Sequence, residues 1–480
     1  QASVSIIYTP IMIRMLGQSE YGLYELVFST VSYLNLLNLG FTASYTRFYM
    51  RIFKTEGEKQ VEGLNALFFL VFMVLSLLVL IAGFFMYIKI ETFFEQTLTF
   101  AEINMAKSMM RILIINTVFV FITHVFDCYI VVQEKFIVQK IVIIIQQILN
   151  PFIAVPLLML GYGTLGVVYA TLIVTILKML FIMWFCIKKV NMKFNYKYIN
   201  YGLLLEMGMF TFFVFLNQVI DQINWNVDKV LLGKFLGTTS VAVYGVASVI
   251  NNSYILFSTA VTNIFIPEVN RLVICEEHNK KVSDLFIKVG KVQFLVLFTI
   301  ICGFLALGDN FVCLWAGKEY SEASNIALIL IIPLTVPLIQ NLGIEIQRAR
   351  NKHQVRSLVY MIIALINIIL SIILIKKIGI LGAPIGTAIS IIIGNIFFMN
   401  WYYYNYLEID IIRFWKEIIK LLMRLSPILL ISVLIKIYLP TLNIWEFLFV
   451  GMLYVGMCFL YVWKCGVKDE IFYLGKNQRK

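Results

Sequence analysis

The sequence predicts an all-α, polytopic membrane protein with about fourteen transmembrane helices, arranged as two pseudo-symmetric six-helix bundles plus two C-terminal helices. Three observations lead to this fold class. The composition is too apolar for a protein dissolved in water. The chain contains a long series of apolar segments, each able to cross a bilayer. Two motifs of the first half recur in the second half at nearly the same offset.

The composition indicates whether the chain is surrounded mainly by water or by lipid. Apolar residues make up 61% of the 480 residues and charged residues only 14%, whereas soluble domains carry roughly 25% charged residues. The mean hydropathy is +0.88. A single buried core cannot absorb so much apolar surface in a chain of this length. The bilayer is therefore the main solvent.

The apolar segments are spaced along the whole chain. A spanning helix needs about 20 mostly apolar residues, and the segments that meet this need lie near 1–16, 21–46, 64–88, 108–131, 137–159, 165–187, 207–232, 241–269, 284–307, 323–347, 357–375, 381–404, 418–438 and 444–463. The first segment is short and begins without methionine, so we interpret it as a truncated first helix. It lacks the basic n-region and the cleavage site of a signal peptide.

The chain repeats two of its motifs. L-G-Q-S-E-Y-G-L-Y, from Leu16 to Tyr24, corresponds to L-G-T-T-S-V-A-V-Y, which begins at Leu236, an offset of 220 residues (236 − 16). G-T-L-G-V-V-Y-A-T, from Gly163, corresponds to G-I-L-G-A-P-I-G-T, which begins at Gly379, an offset of 216 residues (379 − 163). Two matches at nearly one offset indicate a duplicated half.

The duplication predicts the domain organisation. We expect an N-terminal six-helix bundle over 1–187, a C-terminal six-helix bundle over 207–404 and two additional helices over 418–464. Each half has an even number of spans, so the repeats are parallel. Duplicated membrane halves are typical of transporters that work by alternating access, and we expect a polar cavity shared by both halves.

The positive charges are distributed unequally across the membrane. The formal net charge is +12. The even-numbered loops and the C-terminal tail hold 27 of the 39 Lys and Arg residues, whereas the opposite side holds 10. The positive-inside rule places both termini and the even loops in the cytoplasm. The charge is therefore a topology signal and a surface for membrane lipids, not a nucleic-acid site.

Span seven carries the clearest polar stripe. Asn217, Asp221, Asn224 and Asp228 recur at spacings of four, three and four, which is one face of a helix. One interpretation is interhelical hydrogen bonding, with Asp228 paired to Lys229 or Lys234. The other is the wall of a water-filled cavity, in which Asp221 binds a coupling ion and the amides bind substrate. Ionisable groups within a membrane must face protein or water.

Span ten combines two prolines with a polar stripe. Pro333, Pro337, Asn341 and Glu345 recur every four residues. Proline removes a backbone donor and bends a helix, so we expect a hinge. Glu345 is a candidate for ion coupling, and the alternative is a local pair with Arg348.

Spans four and six carry isolated ionisable groups. His124 and Asp127 lie one turn apart in span four. They form either a proton relay or a local hydrogen-bonded pair. Lys178 stands near the middle of span six with no carboxylate within a turn. It either extends to the cytoplasmic face or binds an anion.

Further polar groups complete the predicted cavity. Arg14 and Arg47, at span ends, suit phosphate recognition or headgroup contact. Asn252 in span eight is a candidate ligand for substrate. Glu25, Ser29 and Ser32 share one face of span two.

Several motifs are missing from the sequence. It has no GxxxxGK[ST] loop for ATP, no Cys/His metal cluster and no outer loop long enough for an enzyme active site. We therefore expect no enzyme activity, no metal and no cofactor.

The residues resemble a known family. The run Y-T-P-I-M-I-R-M-L-G-Q-S-E-Y-G-L-Y from Tyr8, the following L-N-L-G-F before Arg47, and N-V-D-K-V-L-L-G-K-F-L-G from Asn226 to Gly237 are similar to the polysaccharide biosynthesis protein family, the O-antigen and capsule oligosaccharide flippases. These belong to the multidrug/oligosaccharidyl-lipid/polysaccharide exporter superfamily. The resemblance covers essentially the whole chain.

The resemblance implies a function. Members flip an undecaprenyl-diphosphate-linked oligosaccharide across the bacterial cytoplasmic membrane, some of them coupled to H⁺ or Na⁺. Cationic residues in a central cavity hold the diphosphate, and the candidates here are Arg14, Arg47 and Lys178. The partners implied are membrane lipids, the lipid-linked glycan, and the polymerase and glycosyltransferases of the pathway. The alternatives are a cation-coupled multidrug antiporter of the same fold and a membrane glycan polymerase.

Overall fold

The computed structural model describes residues 2–274, 279–350 and 354–464, and every regular element in these ranges is helical. The predicted all-α fold class is confirmed. The basic tail at 465–480 and parts of two basic loops, 275–278 and 351–353, lie outside these ranges. The α-helices are α1 (Ala2–Ser32), α2 (Phe41–Thr55), α3 (Glu58–Phe94), α4 (Phe100–Val132), α5 (Phe136–Met159), α6 (Gly163–Trp184), α7 (Gly202–Leu236), α8 (Thr238–Ile274), α9 (Asn279–Trp315), α10 (Glu322–Ile339), α11 (Leu342–Ala349), α12 (Gln354–Ile378), α13 (Gly382–Ile391), α14 (Met399–Asn405), α15 (Ile411–Tyr438) and α16 (Ile444–Lys464).

The predicted spans fall on these helices. Within the described residues, ten helical segments are long and apolar enough to cross a membrane. Helix α1 covers the first predicted span and the beginning of the second, and α10 with α11 covers the tenth. A continuous helical stretch from Arg356 to Asn405 covers the eleventh and twelfth. The chain is a multi-pass membrane protein, and a total of fourteen spans is consistent with this arrangement.

The chain divides into two compact units, Ser3–Ala242 and the part that begins at Val243. Helix α7 therefore packs with the first unit. The three-part division over 1–187, 207–404 and 418–464 stays a prediction.

The core of the first unit is aromatic. Tyr45, Phe68, Phe72, Phe121 and Phe126 are fully buried. The rings of Tyr45 and Phe68 meet edge to face, with 4.9 Å between centroids. Such pairs stabilise a core by about 0.5–1.5 kcal/mol beyond their buried area. These rings come from α2, α3 and α4 and hold those three helices together.

The core of the second unit is built in the same way from other helices. Phe286 of α9, Tyr402 of α14 and Phe414 of α15 are fully buried. The centroid of Phe286 lies 5.0 Å from that of Phe414 and 5.8 Å from that of Tyr403. Aromatic packing therefore fixes α15 against α9.

The repeated motifs have the same backbone geometry. Gly17 has φ 77° and ψ 172°, and Gly237 has φ 87° and ψ −175°. Gly163 and Gly379, in the second repeated motif, have φ values of 53° and 68°. Positive φ combined with extended ψ is a conformation that essentially only glycine adopts. The internal repeat thus appears in the structure as the same turn made twice.

Substitution of Gly17 by alanine is expected to lower the free energy of unfolding by about 1–3 kcal/mol, because the backbone conformation at this position is strained for any residue with a Cβ. An added Cβ meets no atom within 4 Å, so steric clash does not contribute. Thermal unfolding of the purified protein in detergent measures the change. Gly208→Ala, at a helical glycine that also has open space, is the control and is expected to be neutral or stabilising by up to about 1 kcal/mol. Equal losses in both variants would contradict the conformational argument.

The hinge predicted in span ten is a break. Helix α10 ends at Ile339, and α11 begins at Leu342 after a two-residue turn. The hydroxyl of Ser258 donates a hydrogen bond of 2.8 Å to the carbonyl of Leu338. The same carbonyl accepts the backbone N–H of Asn341 at 3.4 Å. These bonds satisfy a carbonyl of the last helical turn, as an apolar environment requires.

Candidate functional site

The first unit contains an ion pair enclosed by helices α1 and α7. Lys229 Nζ lies 2.6 Å from Glu25 Oε2, and the two side chains are only 12% and 13% exposed. An unpaired charge in the middle of a membrane costs at least about 2.5–3.5 kcal/mol. The pairing gives each of the two enclosed groups a partner of opposite charge. Lys229, one of the two lysines discussed as a partner of Asp228, thus pairs with Glu25.

A second ion pair joins α6 to α4. Lys178 Nζ lies 3.0 Å from Asp127 Oδ2, with 21% and 19% of the side chains exposed. Two groups that sequence reasoning treated separately are therefore partners. His124 packs against aromatic rings, with its centroid 5.6 Å from those of Phe72 and Phe121. Lys178 on a neighbouring helix is thus the charged partner of Asp127. The roles of His124 in a proton relay or in a local pair with Asp127 stay predictions.

Amide and hydroxyl groups adjoin the Glu25–Lys229 pair along α7. The Ser32 hydroxyl donates to Gln222 Oε1 at 3.2 Å, and the Asn226 amide donates to the same oxygen at 2.6 Å. Gln222, Asn226 and Lys229 are spaced by four and three residues, so they share one face of α7. Sequence reasoning missed this face, although the same periodicity reveals it. The sequence analysis instead favoured the neighbouring stripe that contains Asp221 and Asp228.

The predicted stripe of α7 has graded exposure. Asn217 and Asp221 are exposed, Asn224 is half-buried, and Asp228 is buried with 2% of its surface exposed. Asp228, and not Asp221, is thus the most enclosed of the four. The amides and Asp221 remain accessible within the spanning helix.

The two predicted arginines of the first unit are exposed, and Arg47 lies close to an ion pair. Arg51, one turn further along α2, donates two hydrogen bonds to the carboxylate of Glu206, one of them from Nη2 at 2.8 Å. The bonds from Arg51, and then the charges of Arg51 and Arg47, lower the pKa of Glu206 below its usual value. Arg14 lies on α1. The structure does not bring Arg14, Arg47 and Lys178 together through any contact found among the described residues.

The repeated turns meet near the start of α4. Ser19, two residues after Gly17, and Thr238, directly after Gly237, both donate to Glu102 Oε1, at 2.7 and 2.9 Å. Their hydroxyl oxygens are 3.2 Å apart. Glu102 also accepts the backbone N–H of Thr99 in the capping box that begins α4. One carboxylate therefore ties both copies of the motif to one helix, entirely inside the first unit.

The second unit contains two of the predicted site residues, Asn252 and Glu345. Asn252 is exposed, while the adjacent Asn251 is buried. Glu345 pairs with Arg348 at 2.8 Å, the local pair that the sequence left open. The side chains of α11 therefore already neutralise each other at this point.

Buried polar clusters of the second unit were not predicted. The amide of Gln293, fully buried, donates to the hydroxyl of Thr262 at 2.7 Å and to the carbonyl of Ser258 at 3.2 Å. Asn367 Oδ1 accepts from the hydroxyls of Ser371 and Thr387, at 3.1 and 3.3 Å. Single buried amides carry no periodic signal, so the sequence did not reveal them.

The described residues contain no group of three or more His, Cys, Asp or Glu side chains able to hold a metal ion. The described site offers charged groups, amides and hydroxyls. It is suited to holding a polar, anionic or hydroxyl-rich solute in a membrane.

The fold is that of a class of membrane transporters. Over 98% of this chain, the structure matches 97% of a lipid II flippase, MurJ, in an inward closed conformation, with a TM-score of 0.75 and 18% identity. A multidrug resistance MATE family transporter of the MOP superfamily in an inward-facing conformation matches 86% of this chain over 96% of its own, with a TM-score of 0.68 and 14% identity. At these identities the likeness concerns the fold.

Residues 11–325 match the family described as polysaccharide biosynthesis protein, and the chain belongs to that family. The capsular polysaccharide biosynthesis protein CapF of Staphylococcus aureus is 26% identical over 231 residues, 47% of this chain and 56% of that protein. The probable low-salt glycan biosynthesis flippase Agl15 of Haloferax volcanii is 27% identical over 172 residues, 35% of this chain and 36% of that protein. The chain thus matches about half, or less, of the length of these relatives.

These comparisons confirm the family predicted from the motifs around Tyr8, Arg47 and Asn226. The expectation of a transporter, and not an enzyme, agrees with the names of Agl15, MurJ and the MATE family transporter, which are flippases or transporters.

Proposed function

We propose that the chain moves an undecaprenyl-diphosphate-linked oligosaccharide across the bacterial cytoplasmic membrane by alternating access, for the synthesis of a cell-surface polysaccharide. Both termini lie in the cytoplasm in this proposal. The family description, the capsular relative and the flippase relative support movement of a lipid-linked glycan. The carrier lipid and its diphosphate follow from the resemblance.

The observation that carries the proposal is the charged and amide-lined interior of the first unit. Moving a sugar chain through hydrocarbon strips its hydrogen bonds, and each unsatisfied group costs several kcal/mol. Ser32, Gln222 and Asn226 supply hydroxyl and amide partners of the kind a sugar needs. Next to them, Lys229 supplies a positive charge.

The ion pairs suggest how an anion is exchanged. While no substrate is bound, Glu25 and Asp127 are the ion-pair partners of Lys229 and Lys178. A diphosphate offers each lysine a stronger anionic partner than a carboxylate does. The carboxylate then needs a proton or a sodium ion, so Asp127 and Glu25 are the groups we assign to coupling. Asp221, accessible on α7, and the exposed Arg14 and Arg47 are further candidates for contact with the solute.

Depletion of the protein in its host tests the proposal. Lipid-linked repeat units are expected to accumulate on the cytoplasmic leaflet and surface polysaccharide to fall. Expression of the wild-type chain restores both, whereas a Lys178→Met/Lys229→Met variant does not. Lys234→Met is the matched control and restores both, because Lys234 lies over the ring of Phe93 and takes no part in either ion pair.

An antiporter of the same fold gives the opposite pattern. Export of a cationic dye is then lost on depletion while surface polysaccharide is unaffected. That result would overturn the flippase assignment.

A further inference from the structure

An apolar groove lies between α5 and α6 of the first unit. It encloses about 390 Å³ and is lined by side chains between 138 and 149 of α5, by side chains between 174 and 181 of α6, and by Phe185 directly after α6. Ile141 and Ile145 are 49% and 54% exposed, and Leu177 is 48% exposed. Helix α5 buries few of its side chains elsewhere. The groove is therefore open to whatever fills the membrane beside this unit.

The groove spans one half of a bilayer. Residues 138–149 extend over about 17 Å at 1.5 Å per residue, close to half of the roughly 30 Å hydrocarbon thickness. One end of the groove lies next to Phe136, the first residue of α5, and at Phe185, where α6 passes into a π-helical segment. Leu149 and Val174 line the opposite end. The groove lies in the leaflet adjoining the end of the helices where α5 begins.

That end of the groove is basic. Lys140 of α5 is exposed, and so are Lys188 and Lys189, which close the π-helical segment after Phe185. None of the ion pairs found among the described residues involves these three lysines. The groove lining contains no carboxylate, and its one lysine, Lys178, is already paired with Asp127.

We propose that this groove binds an anionic glycerophospholipid of the adjoining leaflet. An acyl chain lies against Ile141, Ile145 and Leu177, and the phosphate contacts the lysines at the basic end. Basic pockets between spanning helices are suited to anionic headgroups. The occupant is a resident lipid and not the transported molecule, since the groove serves one leaflet only. It would support α5, which has little protein around it.

Native mass spectrometry of the full chain in detergent tests the proposal, with phosphatidylglycerol and phosphatidylcholine as probes. The wild-type chain is expected to retain phosphatidylglycerol preferentially. A Lys140→Gln/Lys188→Gln/Lys189→Gln variant is expected to bind it roughly 100-fold more weakly. Lys376→Gln/Lys377→Gln, at the end of α12, removes two consecutive lysines elsewhere and is expected to leave binding unchanged.

A groove-filling variant provides a second measurement. Ile145→Trp adds bulk at an exposed position, so folding is retained, and binding of phosphatidylglycerol is expected to fall. The proposal is overturned if both variants bind phosphatidylglycerol as the wild type does, or if phosphatidylcholine binds equally well. It is also overturned if the retained molecule is an isoprenoid phosphate, or if the wild-type chain dimerises and Ile145→Trp abolishes the dimer without affecting lipid binding. Because the readout is lipid binding, its failure is distinct from a failure of glycan transport.

Discussion

Replacement of Lys229 by methionine is expected to lower the free energy of unfolding by about 3–5 kcal/mol and to abolish transport. The substitution leaves Glu25 charged and unpaired in an enclosed site, which is the costly way to break a buried ion pair. Both partners are nearly nine-tenths buried, so solvent screens the loss only weakly. Chemical or thermal unfolding of the purified protein in detergent gives the stability change, and the depletion strain gives the activity.

The double variant Glu25→Gln/Lys229→Met separates the two effects. Removing both charges is expected to recover most of the stability, since a neutral pair needs no compensation. Transport stays lost if Lys229 contacts the diphosphate. Lys234→Met, at a half-buried position further along α7, is expected to cost about 1–2 kcal/mol, the energy of its cation–π contact with Phe93. A double variant that transports normally would remove Lys229 from the site.

Replacement of Lys178 by methionine is expected to lower the free energy of unfolding by about 3 kcal/mol, the lower end of the range for buried pairs, because a fifth of each side chain is exposed. The unpaired group in this case is Asp127 in α4. Transport is expected to fall by more than the stability loss explains, because an anion-binding charge is lost as well. The comparison is made at equal amounts of folded protein in the membrane.

Variants that keep or remove the charges distinguish a loss of stability from a loss of anion binding. Lys178→Arg keeps the positive charge and is expected to retain stability and part of the transport. Asp127→Asn/Lys178→Met removes both charges and is expected to recover stability but not transport. If Asp127→Asn/Lys178→Met transports as well as the wild type, the pair is structural only, and the diphosphate binds elsewhere.

The two ion pairs also mark the limit of reading the sequence locally. Lys178 has no carboxylate within a turn of its own helix, and its partner lies 51 residues earlier in the chain. Glu25 and Lys229 are separated by 204 residues. Periodicity identifies the face on which a residue lies, but it does not identify the helix that the face meets. The sequence therefore singled out the right kinds of residue and missed their pairing.

Helix α7 illustrates the same limit. Its two polar faces have the same spacing, and composition alone favoured the one with two aspartates. The packing of α1 against α7 selected the other, through Ser32, Gln222 and Asn226. Exposure likewise reversed the ranking of Asp221 and Asp228.

By itself, the sequence determined the solvent, the all-helical class, the family, the repeated glycine turns and the break in span ten. Each of these depends on local chemistry: apolar segments of bilayer length, a backbone that only glycine tolerates at Gly17 and Gly237, and two prolines that remove backbone donors from the turns just before the break in span ten. Only the tertiary structure decided which charges are neutralised, which face of α7 is enclosed and where α5 and α6 leave a groove. Those outcomes depend on distances between helices far apart in the chain, and in a low-dielectric interior a few ångströms separate a paired charge from an intolerable one.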